Sequence, residues 1–426
     1  MADGYEAVIP LTQVSMSPSH GSVVALNDGR LLWVWAYKGV HAITSDDGGR
    51  TWGEPRDVML TTGEPMRGIM AVNLLRLGCG AVAMVLVSER GRPEFDASQP
   101  SQLAFHTSRD EGETWSPPVT INPPNVSAGV SQDKAMVLGD GRIIVPVDQY
   151  MGTKPTTDDP KGVHRMGQRF GNLERSSLVY SFAMYSDDEG QTWQRSRNEV
   201  IAQVERGFRG SYSFIEPAVV ELKDGRLMML GRTNLGSLYR SYSEDRGHTW
   251  LAPEPTDLAL SPSPCCLQRI PKTGDLLVIW NQASRVELIE GVYRHRLTCA
   301  VSKDDGLSWQ HHRNLESLDD VAHIEPVVDE MMLIANIRQP VDRQRYHRAP
   351  GPLRCNEPTC TFHDDNAVIT YSHLELGDPA VITDTYGMAF HEVARKYGFT
   401  ERPDRPGRYE GNNKVRILPT EWFYEK

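Results

Sequence analysis

Apolar and polar positions along this chain fall into a recurring hairpin pattern: an apolar run, a tight polar turn and a second apolar run. The first copy is Val23-Val24-Ala25-Leu26, the turn Asn27-Asp28-Gly29-Arg30, and Leu31-Leu32-Trp33-Val34. Equivalent phrases surround Gly80, Gly141, Gly225 and Gly274, and a sixth, without glycine, surrounds Asp329. Asp-Gly between β-prone runs is a strong hairpin signal, whereas a helix tolerates neither these glycines nor the β-branched runs. Six hairpins predict six small sheets. A third apolar strand follows each hairpin; in the sixth unit it spans 366–372.

In the first five units that third strand runs into a second repeat, Ser-x-Asp-x-Gly-x-Thr-Trp. It is written at Ser45-Asp47-Gly49-Thr51-Trp52 and recurs from Ser108, Ser186, Ser243 and Ser302, the last with Ser308 in place of Thr. The Asp bonds the backbone of its own turn, the Gly takes positive φ, and the Trp supplies an apolar anchor. The phrase resembles the Asp-box, or bacterial neuraminidase repeat, of the sialidase superfamily. That resemblance and the six hairpins together predict an all-β fold: a six-bladed β-propeller with four-stranded antiparallel blades and Asp-box turns. One propeller then occupies 1–426, with blades near 17–60, 66–122, 132–200, 212–258, 262–316 and 322–374, closed by 9–14 and 414–423. Repeats grow by adding units, so the length needs no second domain.

In each blade the hairpin joins strands one and two and the Asp-box joins strands three and four, on one face of the disc. The opposite face then carries the long insertions 150–178, 283–296 and 339–365, which makes it the expected functional face. The stretch 380–400 has helical character, ended by Gly398.

Composition narrows the function. A formal net charge of −11 argues against a broad nucleic-acid footprint, which needs a basic face. No apolar run reaches the ~20 residues of a membrane span, and the first residues lack the pattern of a secretory leader, so a soluble, cytoplasmic protein is expected. The six cysteines, Cys79, Cys265, Cys266, Cys299, Cys355 and Cys360, show no C-x-x-C pair and are read as free thiols, although Cys355 and Cys360 are close enough in sequence to pair or share a metal. No metal or cofactor is called for, because no His-x-His or His-Glu-x-x-His spacing occurs. The expected partner is a glycan or oligosaccharide.

The predicted topology gathers strand ends into an axial funnel. Its candidate catalytic groups are Glu216, Glu325, Asp133 and His20; its candidate substrate-binding groups are Arg67, Arg232, Arg296, Arg338, Tyr239 and His323. Glu216 and Glu325 head the similar phrases 214–221 and 323–330, and two axial carboxylates are what glycosidic cleavage needs. The resemblance adds that Glu216 and Arg232, flanking one hairpin, match the sialidase pattern of a strand-heading Glu and a following Arg. Arg296 then looks like a second carboxylate-binding Arg, since a guanidinium fork suits acidic sugars. Two family phrases are missing: an N-terminal Phe-Arg-Ile-Pro, where His20 stands instead, and a nucleophilic Tyr, where 322–326 reads Ala-His-Ile-Glu-Pro. The reading is an exo-acting sialidase-like glycoside hydrolase cleaving a terminal, acidic sugar. Two alternatives are a polysaccharide lyase, with His20, His323 or His347 taking a proton α to a uronate carboxylate, and a non-catalytic carbohydrate-binding propeller.

Overall fold

The computed structural model describes residues 4–9, 21–36, 39–88, 102–123, 126, 128–150, 178–204, 210–290, 294–326, 353–375 and 412–425. Within them the apolar hairpins build six four-stranded antiparallel sheets. Blade one comprises Gly21–Ala25, Leu31–Ala36, Val40–Ser45 and Arg56–Asp57, in that spatial order. Blade four has the same layout in Ile215–Glu221, Leu227–Arg232, Ser237–Ser243 and Glu254–Ala259. First strands of neighbouring blades lie side by side around the axis, except that the first strand of blade four packs against the second and third strands of blade three, so the first strands are the innermost. This is the six-bladed propeller predicted from the repeats. Each gap between adjacent blades holds one apolar cluster, such as Leu138, Ile144, Phe214, Met229 and Trp250 between blades three and four. Fully burying each such side chain stabilises the fold by roughly 1.5–3 kcal/mol, so the clusters between blades supply the main driving force for closure.

Blade six departs from the expected layout. Its sheet runs Leu353–His363, Asn366–Glu375, Asn412–Pro419 and Tyr5–Ile9. The innermost strand is therefore Leu353–His363, not the run around Asp329, most of which lies outside the described residues. Residues 366–372 belong to the second strand rather than the third, and 353–363 is a strand rather than part of an insertion. The turn between the two strands carries no glycine; Asp364 and Asp365 take left-handed backbone angles, φ 47° and 61°, which acidic turn residues tolerate better than most. The ring closes as Tyr5–Ile9 pairs with 413–417, a partner slightly ahead of the expected 9–14, of which 10–14 is not described. Lys414 fastens this seam, its Nζ 2.8 Å from Glu316 of blade five and 3.0 Å from Glu6, while the Tyr371 hydroxyl donates to the same Glu316. The helical stretch 380–400 lies outside the described residues.

All five Asp-boxes share one hydrogen-bond set. In the third, Ser186 Oγ donates to Asp188 Oδ1 at 2.8 Å, and the Thr192 amide and hydroxyl donate to the two Asp188 oxygens at 2.8 and 2.6 Å. The Thr192 bonds hold the Asp188 carboxyl below the usual carboxylate range. Gly190 has φ 87°, and a Cβ there would sit 2.0 Å from Phe105 of blade two, so both backbone angle and space require glycine. The boxes and hairpins share a face, as expected: Glu111 of the second box accepts from Asn27 in the first hairpin and from Arg76 of blade two.

The axis is spanned by polar groups. Asp133, partly buried at the entrance to the inner strand of blade three, accepts from Ser22 Oγ of blade one at 3.1 Å and from the Cys360 amide of blade six at 3.0 Å. Buried Lys134 beside it donates from Nζ to the Cys265 carbonyl of blade five, and its amide donates to Asn73 of blade two at 2.6 Å. Burial raises the Asp133 pKa, opposed by the Cys360 amide and the nearby Lys134 charge. Expected as a catalytic acid, Asp133 has both oxygens engaged in joining blades.

Asp188→Ala and Asp133→Ala should therefore separate a local from a global tie. Loss of the Asp188 turn bonds should cost roughly 1–3 kcal/mol, and loss of Asp133, which leaves donors of two other blades without their acceptor and Lys134 without a neighbouring opposite charge, roughly 2–4 kcal/mol. Urea denaturation checks both; equal melting of Asp133→Ala and the parent chain would contradict the axial tie.

Candidate functional site

At the funnel end of blade four the chain passes through Phe214-Ile215-Glu216-Pro217. Pairing with the second strand breaks between Ile215 and Ala218, and Glu216 takes φ 50° within that break. A left-handed angle costs an L-residue about 1–2 kcal/mol, and a following proline removes alternatives, so surrounding contacts must hold Glu216 in place. Two do. Its amide donates to Asp148 Oδ2 at 2.9 Å, and its carboxylate accepts from Arg232 Nη1 at 2.7 Å.

Arg232 ends the second strand of blade four opposite Ile215, and its side chain is 3% exposed. Its Nε is buried and has no hydrogen-bond partner among the described residues. Such an orphaned donor of a charged group is costly in a dry interior. Glu216 and Arg232, read from the sequence as a catalytic group and a substrate-carboxylate binder, meet instead in an ion pair with each other.

Asp148 was not anticipated. It lies on the second strand of blade three, Ile143–Tyr150, in the otherwise apolar phrase Ile-Ile-Val-Pro-Val-Asp. The only signal in the sequence was a carboxylate in a strand whose other described members are mostly buried. Gly129 lies opposite, exchanging two backbone bonds of 2.8 and 2.9 Å with Asp148; a Cβ on Gly129 would stand 2.5 Å from Asp148 Oδ1. Burial, joined by the neighbouring Glu216 charge, pushes the Asp148 carboxyl up to about 6, against the Glu216 amide and Arg232, which favour the ionised form. Asp148, Glu216 and Arg232 thus place a carboxyl that keeps its proton to unusually high pH beside a carboxylate paired with a cation. A carboxyl that holds its proton beside a charged pair is a candidate proton donor.

The remaining candidates fall elsewhere. Arg296 is fully buried and clamped between Glu287, at 2.9 and 2.8 Å, and Asp319, at 3.0 and 2.7 Å. Glu287 and Ser284 reciprocally cap the short helix Arg285–Glu290 in the insertion between strands two and three of blade five. Arg296 therefore holds that insertion to the blade, with its guanidinium facing two protein carboxylates where a substrate carboxylate was expected. Tyr239 is buried in the apolar cluster between blades three and four, beside Phe214 and Trp250. Glu325 is not the blade-six counterpart of Glu216: it follows the outer strand of blade five and its side chain is 86% exposed. His323 is exposed there too, its ring 4.2 Å from that of His312, whose pKa burial lowers to about 4 with a further contribution from the His323 charge. Arg67 is exposed just ahead of the inner strand of blade two, at the funnel end. His20, Arg338 and His347 lie outside the described residues. The six cysteines are free thiols, with Cys79 alone exposed.

Comparison with known proteins agrees with this architecture. The family described as BNR repeat-like domain matches residues 82–375. A sialidase of Micromonospora viridifaciens is 26% identical over 321 residues, covering 68% of this chain and 43% of that protein. A sialidase of Bacteroides fragilis is 24% identical over 236 residues, 52% of this chain and 36% of that protein, so the chain spans well under half of either relative. Among solved structures, the intramolecular trans-sialidase of Ruminococcus gnavus in complex with oseltamivir carboxylate has a TM-score of 0.56 at 13% identity, covering 99% of this chain and 98% of that one. Trypanosoma rangeli sialidase in complex with a difluorinated KDN has a TM-score of 0.52 at 13% identity, covering 96% of this chain and 54% of that one. At these identities the structural likeness is one of fold.

The Asp148 arrangement has a consequence for stability. Its folded pKa of about 6 exceeds the ordinary 3.8, so between those values the folded state binds more protons than the unfolded state. Asp148 should therefore make stability fall as pH rises from about 4 to about 6 and contribute a constant penalty above. Asp148→Asn should remove that component from urea midpoints taken across the window; an unchanged profile would contradict the shifted carboxyl.

Proposed function

The chain belongs to the BNR repeat-like domain family, and on that premise we propose that its funnel is a glycosidase site cleaving a terminal acidic sugar from a glycan. The observation that carries this reading is the Asp148–Glu216–Arg232 constellation, in which a proton-holding carboxyl, a second carboxylate and a guanidinium with an orphaned donor adjoin at the funnel end of blade four. The sialidase names of its relatives support an acidic sugar as substrate, and Arg232 is the cation that suits it.

In this reading Arg232 orients the sugar carboxylate. Asp148 passes its proton to the glycosidic oxygen as the bond to the anomeric carbon breaks, so the aglycone leaves as a neutral alcohol. Water then adds to the anomeric carbon, and its surplus proton returns to Asp148. Glu216, fixed by the Arg232 contact and its backbone bond, supplies negative charge near the electron-poor anomeric centre.

Turnover should fall as pH rises through about 6, because the proton donor is then lost, and Asp148→Asn should abolish that limb. Glu216→Gln should lose several powers of ten in turnover at unchanged melting temperature. Chromogenic glycosides of sialic acid and of neutral sugars, with product absorbance monitored for a new double bond, provide the assay. Hydrolysis unaffected by Glu216→Gln would remove this reading, and an unsaturated product would turn it to elimination. Arg232→Lys keeps the charge but loses the planar fork, and should raise KM for the acidic glycoside at least tenfold more than for a neutral one.

A further inference from the structure

The backbone anomaly at Glu216 occurs again two blades away. In the inner strand of blade six, Glu357-Pro358 repeats Glu216-Pro217, with φ 50° at both glutamates. Pairing with the second strand breaks between Asn356 and Thr359, just as it breaks between Ile215 and Ala218. Each glutamate heads the portion of inner strand that runs in unbroken register to its hairpin. In a closed six-bladed ring these equivalent places are separated by about 120° around one axis.

Both places are strained, and both are clamped by blade three. Glu216 is held through its amide by Asp148. Glu357 is held through its carbonyl by Gln132 Nε2 at 3.4 Å, and three residues on, the Cys360 amide is held by Asp133 at 3.0 Å. Gln132 is itself buried at 1% exposure, whereas the Glu357 residue retains partial exposure. A left-handed glutamate before proline is disfavoured twice over, and its occurrence at matched register in two blades, each time fixed by a polar side chain from a third, is a costly way merely to turn a strand. The same break in blade two is made with Ala71, φ 62°, so the fold itself does not require an acid there.

We propose that Glu357 is a specificity-determining residue of the funnel: a second axial carboxylate that accepts hydrogen bonds from hydroxyl or amide N–H groups of the same terminal sugar whose acidic side meets Arg232. The proposal rests on the glycosidase reading above. It replaces the sequence pairing of Glu216 with exposed Glu325 by a pairing of Glu216 with Glu357. A carboxylate is an acceptor only, with lone pairs enough for more than one donor, so it favours a sugar presenting a hydroxyl or N–H at that edge and disfavours one presenting a second acid there. Because such bonds form on binding and persist through the reaction, Glu357 acts on KM more than on kcat.

The test compares the parent chain with Glu357→Ala, Glu357→Gln and, as a surface control, Glu325→Ala, using the chromogenic glycoside of sialic acid. Glu357→Ala should raise KM at least tenfold with kcat within about threefold of the parent, Glu357→Gln should show a smaller rise, and Glu325→Ala should match the parent. Analogues of the glycoside lacking one hydroxyl or the acyl-amide should lose affinity for the parent chain yet be bound equally by Glu357→Ala when the missing group is Glu357's partner. If Glu357→Ala melts early, Glu357→Gln, which keeps shape and size, decides the matter. Hydrolysis that depends on Glu216 while both Glu357 variants keep the parent KM overturns this proposal alone; a parent chain that cleaves none of the glycosides overturns the glycosidase reading and this proposal with it.

Discussion

A propeller is a ring of sheets with a hole, and the polar groups facing that hole must be satisfied without filling it with apolar bulk. Here the solution is a set of hydrogen bonds radiating from one short segment, Gln132-Asp133-Lys134, to blades one, two, five and six. Each bond joins strands that share no sheet, so each acts against radial separation of the blades. The apolar clusters between blades resist the same opening but are indifferent to small sliding motions. Directional bonds at the axis are what fix the blades' relative heights, and with them the positions of any groups carried at the strand entrances.

That fixing explains why the candidate site is built from backbone distortions as much as from side chains. Glu216 depends on a left-handed angle, on a broken register and on an acceptor from the adjacent blade. The acceptor, Asp148, depends in turn on a glycine opposite it, because only a residue without Cβ leaves its carboxyl room. Proton affinity at Asp148 is then an outcome of packing: burial and a neighbouring carboxylate outweigh the amide and the guanidinium. The chemistry assigned to the site is therefore as rigid as the inner strands, in keeping with electrostatic preorganisation as the main resource of such sites.

Much of this was legible in the residues, and the exceptions have physical causes. Five Asp-boxes and five glycine turns could be read because a turn imposes local rules that leave a local trace. That Glu216 and Arg232 stand at the same end of blade four could be read because the two flank one hairpin; that they pair with each other could not. Blade six was misassigned because its real turn uses Asp364 and Asp365 in left-handed angles instead of glycine, while 323–330 mimics the blade-four phrase. Arg296 and Arg232 look alike in sequence; only the fold shows that one is clamped by two carboxylates and the other by one. Asp148 left no trace beyond an acid among apolar neighbours, because its role depends on residues far away in the chain, Gly129 across the strand and Glu216 in the next blade.

The seam between Tyr5–Ile9 and residues 413–417 has a bearing on how the molecule comes to exist in time. Joining segments some four hundred positions apart carries a loop-closure entropy of roughly 5 kcal/mol, and the return appears only when the blades between are already stacked. During synthesis at the ribosome, the opening strand must wait unpaired until almost all of the described chain has emerged. Blades one to five are contiguous in sequence and free to form in turn, whereas blade six arises last and all at once. Folding should thus be gated by a single late, non-local event, and a chain permuted to begin inside another blade would move that wait to a different sheet rather than abolish it.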